Sequence, residues 1–205
     1  MADDRGRILA AIADACAEKG TPEPYPEWDD GLAVARGRLE DGDRLTCFRR
    51  NFEAAAGRCC GTVAELVELL AAQGARAGYC DPALGSDVGT ALARRFRLVD
   101  AIDRASLDEL DFAVTRASAA IAETGSLVLT DRDTSDRLAA VATWIHVAVL
   151  DPATIVAGLA EALALTRDDP YAVLVTGPSQ TADVEGILIR GVHGPGVQLC
   201  LVAGP

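Results

Sequence analysis

Short apolar runs alternate with segments of helical periodicity from residue 44 to the end of the chain. The apolar runs predict strands over residues 58–60, 76–80, 96–100, 112–115, 119–122, 126–130, 144–150, 172–176 and 197–202. The helical spacing predicts helices over residues 44–56, 62–73, 86–94 and 135–143, and one that opens at residue 151. Because this alternation is typical of right-handed β-α-β units, the sequence predicts an α/β fold with a mostly parallel open sheet flanked by helices.

Local signals fix several of these boundaries. Thr62 and Glu65 form the pattern of a capping box before an apolar helix. Thr124-Gly125 separates two apolar runs and predicts a tight hairpin turn within the α/β pattern. Pro152 suits the first position of a helix because its ring sets the helical φ angle. The apolar positions that we expect this helix to turn inward are Ile155, Val156, Leu159 and Leu163.

The first 43 residues have a different character. Apolar residues recur at helical spacing from Ile8 to Cys16, and Gly20 supplies a stop. The segment that follows, TPEPYPEWDDG, has three prolines in six residues, which excludes a regular helix or a central strand. We therefore predict an N-terminal helical arm with a Pro-rich connection over 1–43, and an α/β domain over 44–205.

Composition and charge limit the classes of partner that the chain is expected to bind. The 205 residues are 50% hydrophobic, which is enough for a packed core, and the net charge is -12. Such a negative surface repels phosphate backbones and anionic lipid, so we expect neither nucleic acid nor membrane as a partner. The N-terminus is amphipathic rather than a signal sequence, and no apolar stretch approaches the ~18 residues of a membrane span. We expect a cytoplasmic protein.

The six cysteines do not form any C-x-x-C pair. Iron–sulfur clusters and structural zinc sites need short, repeated cysteine spacings, so we expect free and mostly buried thiols. The histidines and acids also lack ligand spacings such as H-x-H, and no segment matches a flavin or nicotinamide motif. We therefore predict no metal and no cofactor on this chain.

The stretch from Thr176 to Gly196 is the richest in candidate chemistry. Gly177 and Pro178 predict a tight turn after a buried strand, and three helix-capping residue types follow it. A strand–loop–helix of this kind presents N–H groups and hydroxyls at the carboxyl edge of a sheet, where α/β folds bind anions. The alternative is a well-capped turn without a ligand. The three capping types are Ser179, Thr181 and Asp183.

Three further residues are candidates for catalysis. His193 lies among glycines and prolines, where it either carries a proton near neutral pH or holds the loop. His146 lies in the apolar run WIHVAVL, where the alternative is a hydrogen-bonded core histidine. Glu123 stands at a turn between apolar strands, where it acts as a base or nucleophile, or caps the turn.

Three segments together resemble the LUD-domain family, formerly DUF162, and its lactate utilization protein C branch in particular. They are Ala120–Leu129, the strand around His146, and Gly177–Glu185 with Gly191–Pro195. Their order and spacing match over residues 44–205. The resemblance implies a fold of the NagB/RpiA/CoA-transferase-like class. It also implies a role in oxidising L-lactate to pyruvate together with two partner proteins that carry the iron–sulfur motifs.

The resemblance also assigns site residues, with some departures from the family pattern. Ala113 stands where the family usually has glycine. The family has an acid near the position of Ser118, and it often has a Leu-Pro pair where this chain has Ala142 and Thr143. Gln180 replaces a common arginine, which removes a bidentate contact to an anion. The ligand-binding positions that the resemblance implies are Thr115, Thr124, Gly125, Gly177, Pro178, Ser179, Thr181, Asp183 and Gly194.

Three functions remain open from the sequence, and it does not decide whether the chain is an enzyme. The first is a lactate-oxidation component that binds a small carboxylate or other anion and works with iron–sulfur proteins. The second is a free-standing enzyme for a CoA ester or a sugar phosphate, with Glu123 as nucleophile or base. The third is a non-catalytic interaction or regulatory module.

Overall fold

A computed structural model of the chain describes residues 4–17, 24, 27, 43–84, 86–105, 107–182 and 186–203. The chain divides into two compact units, Met1–Val34 and Ala35–Pro205, and each is described by itself. In the first unit, helix α1 (Asp4–Ala17) covers the segment whose periodicity predicts a helix, and its residues are all exposed. Most of the Pro-rich connection lies outside the described residues, so the division at residue 43 stays a prediction.

The second unit is built on a six-stranded parallel sheet with the order β1-β12-β7-β4-β2-β3. A second, four-stranded sheet has the order β8-β5-β6-β9, and β10 and β11 form a separate hairpin. In chain order the strands are β1 (Arg58–Cys60), β2 (Ala77–Cys80), β3 (Arg97–Val99), β4 (Phe112–Arg116), β5 (Ala119–Ile121), β6 (Ser126–Thr130), β7 (Ile145–Leu150), β8 (Ile155–Val156), β9 (Ala172–Val175), β10 (Gln180–Ala182), β11 (Leu188–Arg190) and β12 (Val197–Val202).

Helices flank the parallel sheet, as predicted. They are α2 (Arg44–Ala54), α3 (Val63–Ala72) and α4 (Ser86–Ala93), whereas α5 (Leu159–Leu165) packs on β5 and β8 of the second sheet. Asp43 caps α2 by accepting a hydrogen bond from Thr46 N at 2.8 Å, and Thr62 caps α3 in the same way from Glu65 N at 3.1 Å. Glu65 Oε2 accepts from Gly61 N, so the predicted capping interaction forms one residue earlier than in a standard capping box. Among the described residues, no helix has the length and apolar character needed to cross a bilayer.

The parallel sheet is buried on both faces, which explains why its strands are nearly continuous apolar runs. Along β7, Ile145 and Val147 face a cluster with α3 and α4, whereas Ala148 and Leu150 face a cluster with α2 and the second sheet. Strand β12 enters the sheet between β1 and β7 and repeats this alternation. The confirmed α/β architecture therefore rests on apolar residues at successive positions of each strand, which face the two clusters in turn.

The predicted hairpin at Thr124–Gly125 is confirmed, because β5 and β6 pair antiparallel across it. The predicted helix from Asp151 is wrong at its start. Pro152–Thr154 form a single 3-10 turn, and Ile155–Val156 then pair with β5 as strand β8 before α5 begins. Pairing with the second sheet overrides the helical periodicity of this segment. Leu159 and Leu163, which we expected to face inward, are 43% and 55% exposed.

The predicted helix over residues 135–143 is also wrong, since only Arg137–Ala140 form a short 3-10 helix. Both ends of the segment are held by side-chain hydrogen bonds. Ser135 N and Oγ donate to the buried Asp81 carboxylate, and Thr143 Oγ1 donates to Ile145 O. These bonds compete with a continuous helical ladder, as serine and threonine commonly do.

The segment after residue 171 departs most from expectation. Strand β9 is an edge strand of the second sheet rather than a buried one, with Val173 39% and Leu174 45% exposed. The predicted helix after Gly177 does not form, because Gln180–Ala182 pair antiparallel with Leu188–Arg190. Residues such as Ser179 and Thr181 occur in turns and strands as readily as at helix caps, so their pattern did not distinguish a hairpin from a helix.

Candidate functional site

The buried candidate histidine lies at the centre of the parallel sheet. His146 is on β7, and its neighbours in register are Ala113 on β4 and Gln198 on β12. Its Nδ1 lies 2.9 Å from Gln198 Oε1, and its Nε2 lies 2.9 Å from Thr115 Oγ1. All three side chains are buried, and His146 is 0% exposed. Both ring nitrogens are thus occupied by protein partners.

These contacts fix the protonation of the ring. Gln198 Nε2 donates to Leu199 O, so the amide oxygen faces His146 and accepts from Nδ1–H. Nε2 is then the acceptor for the Thr115 hydroxyl. Burial lowers the pKa of His146 to about 4, although the Gln198 bond opposes this change. His146 is therefore neutral near pH 7, and its catalytic role stays a prediction.

The second candidate group is a chain of hydroxyls at the β5–β6 turn. Ser126 Oγ lies 2.7 Å from Thr124 Oγ1 and 2.5 Å from Thr176 Oγ1. Three hydroxyl protons serve two internal bonds, so one proton of the three remains for an outside acceptor. Glu123 adjoins this chain, and its side chain is half-buried. We call Glu123, Thr124, Ser126 and Thr176 the hydroxyl turn.

Close packing against α2 explains the glycines that flank the hydroxyl turn. A Cβ on Gly125 would lie 2.2 Å from Phe52 N, and one on Gly177 would lie 2.0 Å from Ala55 O. Both glycines have left-handed φ angles, of 67° and 76°. Asn51 Nδ2 completes the contact by donating to the carbonyls of residues 122 and 123. These two glycines therefore hold the turn against the helix.

The third group is the loop that carries His193. Ser179 N donates to Pro195 O at 2.8 Å, and Gly191 N donates to Ser179 O at 3.0 Å. The indole of Trp144 lies against the loop, because a Cβ on Gly191 would come within 2.3 Å of that ring. The glycine-rich sequence thus lets the loop lie flat on Trp144, and His193 is exposed.

His193 lines a cavity of about 430 Å³. Its surface is mostly polar, and Asp108 is the one acidic member of the described lining. This volume lies within the ~300–1,000 Å³ that is usual for small-molecule sites. The described residues that line it are Leu107, Asp108, Leu110, Val141, Ala142, Thr143, Trp144, Gly191, Val192, His193 and Gly194.

The His193 loop lies at the amino edge of the parallel sheet. Trp144 immediately precedes β7, Pro195 lies two residues before β12, and Val197 N donates to Trp144 O. We expected an anion site at the carboxyl edge of a sheet, and the loop follows the carboxyl end of β9 in the second sheet instead. The carboxyl ends of β2 and β3 border another cavity, of about 480 Å³, whose lining includes Asp81 and Asp100 and therefore disfavours anions.

The structure groups the candidate residues in three places. Thr115 joins His146 in the sheet; Thr124, Gly125 and Gly177 join Glu123 at the hydroxyl turn; Ser179 and Gly194 join His193. The described lining of the His193 cavity contains neither Glu123 nor His146. Pro178 is buried, Thr181 lies on β10 and Asp183 lies outside the described residues.

Sequence reasoning missed two polar residues that these groups require, namely Gln198 and Asn51. Gln198 is the polar member of the apolar run VQLCLV, which is a signal of the same kind as His146 in its own strand. Asn51 carried no such signal. In the part of the chain that the structure describes, no three His, Cys, Asp or Glu side chains are placed to hold a metal ion.

Comparison with known proteins supplies independent information. A family model described as the LUD domain matches residues 95–202. Proteins named lactate utilization protein C are 31% identical over 100 residues in Anoxybacillus flavithermus and 31% over 108 residues in Deinococcus radiodurans. These matches cover 47% and 50% of this chain, and 43% and 51% of the relatives. The chain thus spans about half the length of the curated relatives it matches.

A crystal structure of a DUF162 family protein from Deinococcus radiodurans has the same fold. The TM-score is 0.57 at 21% identity, over 79% of this chain and 96% of that chain. At this identity the likeness concerns the fold alone.

Proposed function

Because this chain belongs to the LUD-domain family, we propose that it is a component of lactate utilization. The observation that carries the proposal is the name of the relatives at about 30% identity, lactate utilization protein C. In this proposal the chain binds a small carboxylate and acts together with iron–sulfur proteins that carry the electrons.

The cysteines support the assignment of electron transfer to partner proteins. Cys47, Cys60, Cys80 and Cys200 are buried and Cys59 is half-buried, and none of them is in a disulfide in the described structure. An iron–sulfur cluster needs four ligands that converge on one point, and the described residues offer no such group. A partner with its own clusters would supply the redox step.

The His193 cavity is the best candidate for the carboxylate. It combines an exposed imidazole with a mostly polar surface, and its described lining has one acidic residue, Asp108, against two in the other cavity. The imidazole donates a hydrogen bond to a carboxylate in either tautomer and adds a charge when protonated. His146 is enclosed in the sheet, so we assign it to support of the fold rather than to contact with the ligand.

Reconstitution tests the role in lactate oxidation. The chain is combined with two iron–sulfur lactate-utilization proteins, and lactate-dependent reduction of a dye is measured with and without it. We expect the rate to fall by at least tenfold when the chain is omitted, the order of change expected when a required component is lost. Equal rates with and without the chain would contradict the proposal.

Ligand binding is tested separately by titration calorimetry with lactate and pyruvate. We expect His193→Gln to weaken binding by about tenfold, since a charged hydrogen bond contributes about 1.5 kcal/mol. Glu68→Gln, a change on the exposed surface of α3, is the control and should bind as the parent does. An unchanged affinity in His193→Gln would place the carboxylate elsewhere.

A second candidate function rests on the hydroxyl turn. A Cβ on Gly158 would lie 3.0 Å from Glu123 Oε2, so the glycine leaves space at this carboxylate. A CoA ester or sugar phosphate could meet Glu123 as nucleophile or base, with the spare hydroxyl proton directed at its anion. A thermal shift with such compounds that Glu123→Gln abolishes and Glu68→Gln keeps would favour this enzyme.

The same variants distinguish the third function, a non-catalytic interaction module, from the two functions that bind a ligand. If His193→Gln and Glu123→Gln both leave lactate oxidation unchanged in the reconstituted system, neither site is used. The chain would then act by contact alone. Its exposed hairpin, with Leu188 and Ile189 turned to solvent, is the first surface to alter in that case.

A further inference from the structure

Two cysteines face each other across neighbouring parallel strands. Cys59 on β1 is in direct register with Cys200 on β12. Side chains in register on parallel strands point to the same face, and both residues belong to the apolar cluster beneath α2. Adjacent strands lie about 4.8 Å apart, which falls within the 4.4–6.8 Å between Cα atoms that a disulfide requires.

The two thiols have different environments. Cys59 is half-buried at the outermost strand of the sheet, whereas Cys200 is fully buried. Cys60 follows Cys59 but points to the opposite face of the sheet, into the cluster with α3. Strand alternation therefore separates Cys60 from the pair, although it is adjacent in sequence.

We propose that Cys59 is a modification site that a peroxide oxidises, and that Cys200 completes a reversible disulfide between β1 and β12. This inference is independent of the proposed role in lactate utilization. Strand β1 is three residues long and lies at the edge of the sheet, so it can move by the small amount that bond formation needs.

The chemistry balances with the peroxide as the oxidant. The Cys59 thiolate attacks one peroxide oxygen, the O–O bond breaks, and the leaving hydroxide takes up a proton to become water. Cys59 is then a sulfenic acid. The Cys200 sulfur attacks the Cys59 sulfur, the S–O bond breaks, and the hydroxyl leaves with the Cys200 proton as a second water. Hydrogen peroxide gains two electrons, and the two thiols lose them.

The charges around the pair favour Cys59 as the attacking group. The Cys200 thiol donates a hydrogen bond to the Cys59 sulfur, which lowers the pKa of Cys59 and raises that of Cys200. Burial and the Glu53 carboxylate oppose the lowering at Cys59, and the Arg49 guanidinium supports it. Arg49 Nε is buried and has no acceptor among the described residues, so this cation lacks a partner at that nitrogen.

Peptide mapping after peroxide treatment tests the inference. The full chain is used with Cys16→Ser, because Cys16 is exposed on α1 and can join two molecules. After addition of hydrogen peroxide at pH 7, we expect the chain to lose two hydrogens and to give one linked peptide pair that contains Cys59 and Cys200. Dithiothreitol should restore the original mass.

Variants assign the two roles. Cys200→Ala should stop at the sulfenic acid, which a cyclic 1,3-diketone traps on Cys59, and Cys59→Ser should leave Cys200 reduced. Cys60→Ser is the matched control and should form the disulfide at the parent rate. We expect Cys59 to react about tenfold faster than Cys60 with iodoacetamide, because the latter is buried with its pKa raised to about 12.

Several results would overturn the inference. A disulfide that joins Cys47 to either member would show that the register does not select the pair. Oxidation of Cys60 before Cys59 would contradict the assignment of the attacking thiol. If Cys200→Ala does not fold, trapping during the reaction of the parent chain decides: absence of a diketone adduct on Cys59 at early times, together with absence of the disulfide later, rejects the site.

Discussion

The two histidines of this chain lie in regions that differ in burial and in hydrogen bonding. His146 is enclosed in the parallel sheet, where Thr115 and Gln198 on the flanking strands hold both ring nitrogens. His193 is exposed on a glycine-rich loop beside a cavity at the amino edge of the same sheet. One ring is part of the packed core, and the other is available to a ligand.

The strand neighbours, rather than the residue type, thus determine whether a histidine of this chain is enclosed or exposed. The register of β7 and β12 places Gln198 directly beside His146, so the pairing of these strands brings the two side chains within hydrogen-bond distance. His193 lies outside the described strands, and its loop is held by Trp144 and by backbone bonds to Ser179.

The largest effect should come from His146→Leu. Leucine leaves the Thr115 hydroxyl and the Gln198 amide oxygen buried without a partner, and we expect a loss of about 3–4 kcal/mol in the free energy of unfolding. Urea unfolding followed by circular dichroism at pH 7 measures this change.

Replacement of all three groups is the matched control. The triple variant Thr115→Val, His146→Leu, Gln198→Leu removes the partners as well, so it should regain most of the lost stability and unfold within about 1–2 kcal/mol of the parent. If His146→Leu alone were as stable as the parent, the ring would not be a required part of the core.

The architecture of the parallel sheet could be predicted because each strand carries its own pattern. Strands such as β7 and β12 are buried on both faces, so an apolar run is sufficient to locate them. The hydrogen-bonded group of Thr115, His146 and Gln198 could not be predicted, because His146 and Gln198 are 52 positions apart and meet only when β7 pairs with β12. A polar residue in each of two apolar runs was the available signal.

The second effect is the pH dependence of stability. Burial lowers the pKa of His146 in the folded chain to about 4 from an ordinary value of 6.5. Between these values the unfolded chain binds a proton that the folded chain does not. Stability is therefore complete above pH 6.5 and decreases as pH falls, by about 3 kcal/mol at pH 4.

A difference experiment isolates this effect from the titration of acidic groups. We expect the stability advantage of the parent over His146→Leu to shrink from about 3–4 kcal/mol at pH 7 to about 1 kcal/mol or less at pH 4. An advantage that stays constant over this range would show that the ring titrates alike in the folded and unfolded chains.

The loops of the candidate site were less predictable than the sheet, and for a different reason. Glycine and capping residues between 176 and 196 mark turns but do not say what the turns pack against. Gly177 lies against Ala55 of the segment after α2, and Gly191 lies against Trp144. The sequence pattern predicted a helix and a ligand-binding loop at these residues. In the structure they make close backbone contacts and form the β10–β11 hairpin.

A pair of glycine variants measures that contact. Gly177 and Gly186 have nearly equal φ angles, 76° and 77°, but only the first has described atoms within 4 Å of an added Cβ. We expect Gly186→Ala to cost about 1 kcal/mol, from the left-handed backbone alone, and Gly177→Ala to cost about 2 kcal/mol more. Equal losses in urea unfolding would mean that the loop is not fixed against Ala55.

The smallest effect on stability should come from His193→Ala. An exposed side chain without a buried partner contributes little to the folded state, so we expect a change below about 0.5 kcal/mol in the free energy of unfolding at pH 7. The same variant should lose binding of a small carboxylate in the titration described above. A loss of more than about 2 kcal/mol in stability would instead assign His193 to support of its loop, because only a satisfied structural contact gives a loss of that size. The contrast with His146→Leu then decides which histidine serves the fold and which one serves the ligand.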